Sequence, residues 1–306
     1  MLVVHDVSTL LGFLIRRLFF AVVVLVAVAV IDYGMFGDPL SRVFLHVDFG
    51  CATSHYGCPP VKEIWSEYWQ ADVYLLIGGL ALGVVAGIWA AVFCSGRPRS
   101  IATRAVETVG LVFYSMPAYL FGFGVLLLFE PSFGALPLPF FFHPLDYQEP
   151  FADPWMFVQA MIVPWIVVAA PFAAVVMRLV QATMLEELGS DHVRTAEAKG
   201  LSRRRVIRRH AGRPAYVSVA ALVGVWVPAF ITNMMLVEYV FFVPGFFGQT
   251  KRALGQVPEL PPGFDIPMIQ GLALWAAVLI VVVSTLADVM LALLDPRVRA
   301  SGQRSQ

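Results

Sequence analysis

A chain of 306 residues that is 59% hydrophobic and only 14% charged, with a mean hydropathy of +0.76, falls well below the roughly 25% charged usage of soluble domains. That composition excludes a water-soluble globular protein and identifies an integral membrane protein. The formal net charge is zero, so any sidedness must come from how charge is distributed along the chain.

A membrane span needs about 20 mostly apolar residues to cross a hydrocarbon layer of roughly 30 Å, and within that layer the backbone must satisfy its own hydrogen bonds as a helix. Six segments meet this requirement, which predicts an all-α protein of six transmembrane helices. The first, near Leu11 to Ile31, places Arg16 and Arg17 ahead of an apolar run, in the manner of a secretory signal. Asp32, Tyr33 and Gly34 follow without a small-x-small cleavage site, so it is expected to remain as a span. The loop after it holds Cys51 and Cys58, which form either a disulfide or two free thiols; their spacing alone does not decide.

The second span, near Val73 to Phe93, carries Gly79, Gly83 and Gly87 at every fourth position, ending at Cys94. This small-xxx-small spacing lets helix backbones approach closely, so these glycines are expected to pack rather than to line a substrate site. The third span, near Ala105 to Phe129, has Glu107 at its inner end, and the fourth runs near Trp155 to Met177. The fifth, near Tyr216 to Tyr239, holds Asn233 and Glu238 toward its outer end; the sixth, near Pro267 to Leu294, holds Asp288 about two turns before its end. A charge near the bilayer centre costs at least about 2.5 kcal/mol on insertion scales, so such groups face protein or water. Glu238 has two readings, path lining or a structural hydrogen bond. Glu107 and Asp288, near the interfaces, are expected to be structural.

With an even number of spans both termini share a side. Putting them in the cytoplasm places Arg16, Arg17, Arg97, Arg99, Arg104, the nine basic residues from Arg178 to Arg213, Arg297, Arg299 and Arg304 inside. Arg42, Lys62, Lys251 and Arg252 fall outside, among the acidic Asp32, Asp38, Asp48, Glu63, Glu67, Asp146, Glu149 and Asp153. This is the positive-inside pattern, and it predicts cytoplasmic termini.

Among motifs that carry chemistry, the chain lacks a phosphate loop, an H-E-x-x-H metal helix and a G-x-S-x-G elbow, and its six histidines show no ligand spacing. No catalytic residue and no metal site is expected; ATP, if used, must be bound by another chain. The densest charge lies in the cytoplasmic loop of about 178–214. There Ser190 is an N-cap candidate, Asp191 places negative charge in the first turn, and Gly200 can end a short helix in a left-handed conformation. A second short helix over 203–211 pairs Val206 with His210 and Ile207 with Ala211, and Pro214 suits the first turn of the fifth span. A DNA-reading helix-turn-helix is disfavoured, since both ends are tethered to spans and no supporting helix fits.

The stretch DHVRTAEAKGLSRRRVIRRHAGRPA, from Asp191, resembles the coupling loop of binding-protein-dependent ABC importer permeases of the dipeptide/oligopeptide/nickel type. LVFYSMPAYLFG in the third span, LVEYVFFVPGFFG after the fifth and LADVMLALLDPRVR at the C-terminus are similar to the same subfamily, and DFG at Asp48 to Gly50 is a weaker echo. Glu197 stands where that subfamily more often has a basic residue, and Pro214 where it often has Asn.

The resemblance implies a type I ABC importer permease fold, with residues 1–70 as an N-terminal transmembrane helix and extracytoplasmic loop and 71–306 as the permease core. It implies a bacterial inner-membrane transport subunit, not an enzyme, that binds no cofactor itself. ATP and Mg would reside on two partner ATP-binding subunits, a second homologous permease would complete the path, and an extracytoplasmic binding protein would deliver peptides or similar small solutes. Arg194, Thr195, Ala196, Glu197, Ala198, Lys199, Gly200, Leu201 and Arg204 would form the ATPase-coupling surface; Asn233, Glu238, Pro244 and Gly245 would line the path or its outer gate. The alternatives are an ion-coupled secondary transporter, for which no internal repeat is apparent, and a non-transporting membrane scaffold.

Overall fold

The computed structural model describes residues 2–35, 49–129, 136, 139, 142, 147–190, 212–256 and 263–294. Among these the secondary structure is helical, apart from an isolated antiparallel bridge between Cys51 and Pro60. The helices are α1 (Leu2–Met35), α2 (Val61–Gly96), α3 (Ile101–Ser115), α4 (Ala118–Phe129), α5 (Pro154–Leu188), α6 (Gly212–Phe241), a single 3-10 turn (Phe247–Gln249), α7 (Thr250–Ala253) and α8 (Ile266–Leu294).

Five of these helices are long and apolar enough to cross a membrane, and the bent pair α3 and α4 supplies a sixth if it counts as one span. The expected third span is thus two helices meeting at 105°. Pro117 is the cause. It has no N–H to continue the ladder, and it drives the residue before it out of the helical region; Met116 is extended at φ −99° and ψ 131°. The Pro117 carbonyl then accepts the N–H groups of Leu120 and Phe121 to start α4.

The chain forms two compact units, Met1–Val73 with Pro244–Gln306, and Tyr74–Val243. In the first, α1 packs along α8. Arg17 of α1 pairs with Asp288 of α8, and the Gln270 side-chain amide donates to the Asp32 carbonyl at 3.3 Å. The indole N–H of Trp275 donates to the buried carboxylate of Asp72 at 2.6 Å, while Trp65, Trp69 and Trp275 cluster with centroids 5.4 to 6.4 Å apart.

In the second unit α5 packs against α3, α4 and α6. Asp153 caps α5, accepting the N–H groups of Trp155 and Met156 on one carboxylate oxygen, with Pro154 at the first helical position. Gln181 of α5 donates to Glu107 of α3 at 2.7 Å. A Cβ at Gly79 would lie 2.9 Å from the Phe230 ring, one at Gly83 2.8 Å from the Phe172 ring, and one at Gly87 2.6 Å from the Val176 Cβ. Each of these glycines therefore faces a neighbouring helix so closely that an added methyl group would require the neighbour to shift.

Candidate functional site

Residues 191–211, which include Arg194 to Leu201 and Arg204 of the expected coupling surface, lie outside the described residues. Their two anchors are described. α5 stops at Leu188, and the Gly189 and Ser190 N–H groups donate to the Glu186 and Glu187 carbonyls at 3.1 and 3.0 Å. The Ser190 hydroxyl also donates to the Glu187 carbonyl. α6 begins at Gly212 with Pro214 in its first turn, where a missing N–H costs nothing because the first turn has no intrahelical acceptor.

The C-terminal end of α6, just before Pro244 and Gly245, is built by a left-handed residue that sequence reasoning did not single out. Phe242 adopts φ +54°, and the Val243 N–H reaches back to the Glu238 carbonyl at 3.2 Å. This is a Schellman-type cap, in which the residue after the helix is left-handed and the next N–H closes on the third-last carbonyl. Glycine usually takes the left-handed position; here a phenylalanine does. Pro244 follows and prevents the helix from resuming. Gly245 then leads into the 3-10 turn, whose Gly248 N–H donates to the Gly245 carbonyl at 3.1 Å.

Asn233 and Glu238 are not brought onto one face. Five residues at 100° each place them about 140° apart around α6. The Asn233 side-chain amide donates to the Ala229 carbonyl of its own helix at 2.9 Å, whereas Glu238 is buried at 1% exposure. Of the two, only Glu238 holds a carboxyl group inside protein, where it needs partners to remain charged.

In the first unit a short loop precedes α2. Cys51 and Cys58 are joined by a disulfide with Cα atoms 5.2 Å apart. The Ala52 N–H donates to the Pro59 carbonyl and the Val61 N–H to the Gly50 carbonyl, at 2.9 and 3.0 Å, closing residues 50–61 into a clip. Gly50, at φ +83°, lies where a Cβ would come within 3.1 Å of Pro267, so the clip sits directly against the start of α8. His55 lies beside Ser54, whose hydroxyl is 3.2 Å from its Nδ1. Burial, and next the Arg252 guanidinium, push the His55 pKa below its ordinary 6.5, against opposing pulls from Asp265, the Gln249 side chain and Glu67.

Asp265 and Asp72 were missed at the level of sequence. Asp265 had a readable signal, since FDIPM puts Asp before a proline at the start of an apolar helix. Asp72 lies one residue outside the expected second span and gave none. Two cavities of about 290 Å³ each are apolar: one in the first unit among Val61, Trp65, Phe246, Leu274 and Trp275, the other in the second among Ala86, Val109, Phe113, Ala170 and Ala173.

Five helices long and apolar enough to cross a membrane, a bent helix pair at Pro117 and a glycine seam along α2 make the frame of a multi-pass membrane protein. The chain belongs to the family of binding-protein-dependent transport system inner membrane components, whose match covers residues 83–300. It is a multi-pass inner-membrane transport subunit rather than an enzyme. It is 29% identical over 285 residues to the dipeptide transport system permease protein DppB of Escherichia coli K12, covering 85% of this chain and 81% of that one. It is 30% identical over 258 residues to the di/tripeptide transport system permease protein DppB of Pseudomonas aeruginosa UCBPP-PA14, covering 78% and 74%. To the oligopeptide transport system permease protein AppB of Bacillus subtilis 168 it is 27% identical over 253 residues, covering 82% and 76%.

Proposed function

We propose that this chain forms half of the translocation path of an ATP-driven importer for peptides or similar small solutes. A second homologous permease completes the path, two ATP-binding subunits carry ATP and Mg, and an extracytoplasmic binding protein delivers the solute. The observation that carries this reading is the extent of the likeness: relatives named as peptide permeases align over most of their length and of this chain's. Both termini face the cytoplasm, because the Lys and Arg residues fall on that side. Residues 1–70 act as a leading helix and outer loop, and 71–306 as the permease core.

In this scheme residues 191–199 dock as a short helix on an ATPase subunit, Gly200 and Leu201 turn the chain, and Arg204 adds charge to the same surface. Asn233, Glu238, Pro244 and Gly245 stand along the path at its outer mouth. Topological marking alone would require the basic residues but not Asp191, Gly200 or the paired apolar positions of the second short helix.

The test is Gly200→Val. A β-branched residue forced into a left-handed conformation costs on the order of 1 to 2 kcal/mol, which misaligns the docked face. The variant is expected to insert normally, to lose most of the ATPase that copurifies with the wild type, and to lose ATP-dependent uptake. Neutralising Arg203 and Arg204 is expected to do less, since seven of the nine basic residues between Arg178 and Arg213 remain. Normal uptake by Gly200→Val with its ATPase still bound would sink the docking assignment.

A further inference from the structure

Asp265 is a buried carboxylate at 1% exposure, and its two carboxylate oxygens and its N–H engage three different segments of the first unit. One oxygen, Oδ2, accepts the Ser54 N–H at 2.7 Å, from the tip of the disulfide clip. The other, Oδ1, accepts the Met268 N–H at 3.1 Å and so caps α8. Its own N–H donates to the Ala253 carbonyl at 2.8 Å, at the end of α7. The clip is some two hundred residues from α7 and α8, and Asp265 bonds to all three. α7 continues the 3-10 turn that follows Pro244 and Gly245, the residues assigned above to the outer mouth.

We propose that Asp265 is the positioning residue of the outer mouth: its carboxylate ties the Cys51–Cys58 clip to the start of α8 while its N–H holds α7, so that the clip fixes where the 244–253 segment sits. The mouth assignment rests on the function proposed above; the tie itself does not. The disulfide joins cysteines seven positions apart and so helps to hold the short loop from which the Ser54 N–H meets Asp265.

The chemistry of the carboxylate supplies a selective variant. Asparagine has one acceptor oxygen and one donor NH2, so Asp265→Asn can serve the Met268 N–H or the Ser54 N–H but not both. Whichever is abandoned faces an N–H instead of an oxygen. Asparagine is as good a helix cap as aspartate, so the cap is retained and the clip tie is lost. A second perturbation acts on the protein already folded. Dithiothreitol gives two electrons and two protons to the sulfur–sulfur bond, leaving Cys51 and Cys58 as thiols and closing into its own cyclic disulfide.

The experiment is amide hydrogen exchange on the full-length chain in lipid nanodiscs, paired with uptake of labelled alanyl-alanine by cells carrying the complete transporter. Asp265→Asn is expected to speed exchange across 52–56 and 250–256 by tenfold or more, leaving α5 and the middle of α8 unchanged, and to slow uptake at equal membrane levels of the chain. Dithiothreitol on the wild type is expected to reproduce the exchange change, and Asp265→Asn treated with dithiothreitol to show little more than either alone. Unchanged exchange under both perturbations overturns the tie. Faster exchange with undiminished uptake overturns its role at the mouth while leaving the transport function standing. Wild-type cells that take up no alanyl-alanine, while their chain shows the exchange changes, overturn the peptide reading and the mouth assignment that rests on it.

Discussion

Replacing Gly87 by alanine adds one methyl group at a point where α2 approaches α5 closely. The new Cβ would lie 2.6 Å from the Val176 Cβ and 2.7 Å from the Ala173 carbonyl oxygen. Carbon contacts are optimal at about 3.5 to 4.0 Å, so one helix must move by roughly 1 Å. The obstruction includes backbone, which cannot rotate away as a side-chain end can. Overpacking of this kind costs about 1 to 3 kcal/mol, against a gain of about 0.5 to 1 kcal/mol for alanine over glycine inside a helix. A net loss of about 1 to 2 kcal/mol is expected. Gly124→Ala, in α4 with nothing within 4 Å of the added atom, collects the gain without the collision. Gly79→Ala falls between them, since the nearest atom there is the far end of the Phe230 ring. Melting of the purified chain in mild detergent should rank Gly124→Ala above wild type, Gly79→Ala near or below it, and Gly87→Ala lowest by a few degrees. If Gly87→Ala and Gly124→Ala melt together, the close approach of α2 and α5 is wrong.

Two further outcomes are expected. Because His55 is depressed below 6.5 by burial and Arg252, the folded chain binds fewer protons than the unfolded chain as pH falls through about 6.5, so stability declines on acidification; melting followed from about pH 7.5 to 5.5 should show a decline that His55→Gln flattens, and an unchanged slope in that variant would remove His55 from the account. Glu238→Gln keeps the size of the side chain but removes its charge, and a lost hydrogen bond to a charged group is worth roughly 1.5 kcal/mol, or about tenfold. Uptake is expected to fall by that order with assembly and basal ATP hydrolysis retained, whereas loss of the assembled complex would mark Glu238 as structural.

The composition and the runs of apolar residues determined that the chain crosses a membrane as helices, because nothing but a helix satisfies the backbone of a single segment in hydrocarbon. The glycine spacing of α2 was legible for the same kind of reason: a repeat of four places small residues on one face whatever they meet. What they meet was not legible, since Phe172, Phe230 and Val176 come from helices far along the chain. The bend at Pro117 was written in the sequence as a proline amid apolar residues, yet an apolar count over Ala105 to Phe129 does not register direction, and the 105° turn appears only when the backbone is traced. Asp72 lies within α2, just outside the expected apolar span, and Asp265 immediately precedes α8, positions at which an acidic residue is ordinarily solvated. The Met268 amide meets Asp265 as a local cap three residues on, but only the tertiary structure brings the Trp275 indole to Asp72 and the Ser54 amide to Asp265. Periodicity and composition are local quantities and fix local structure; a buried carboxylate takes its role from partners some two hundred residues away in the chain, and those are chosen by the packing of helices.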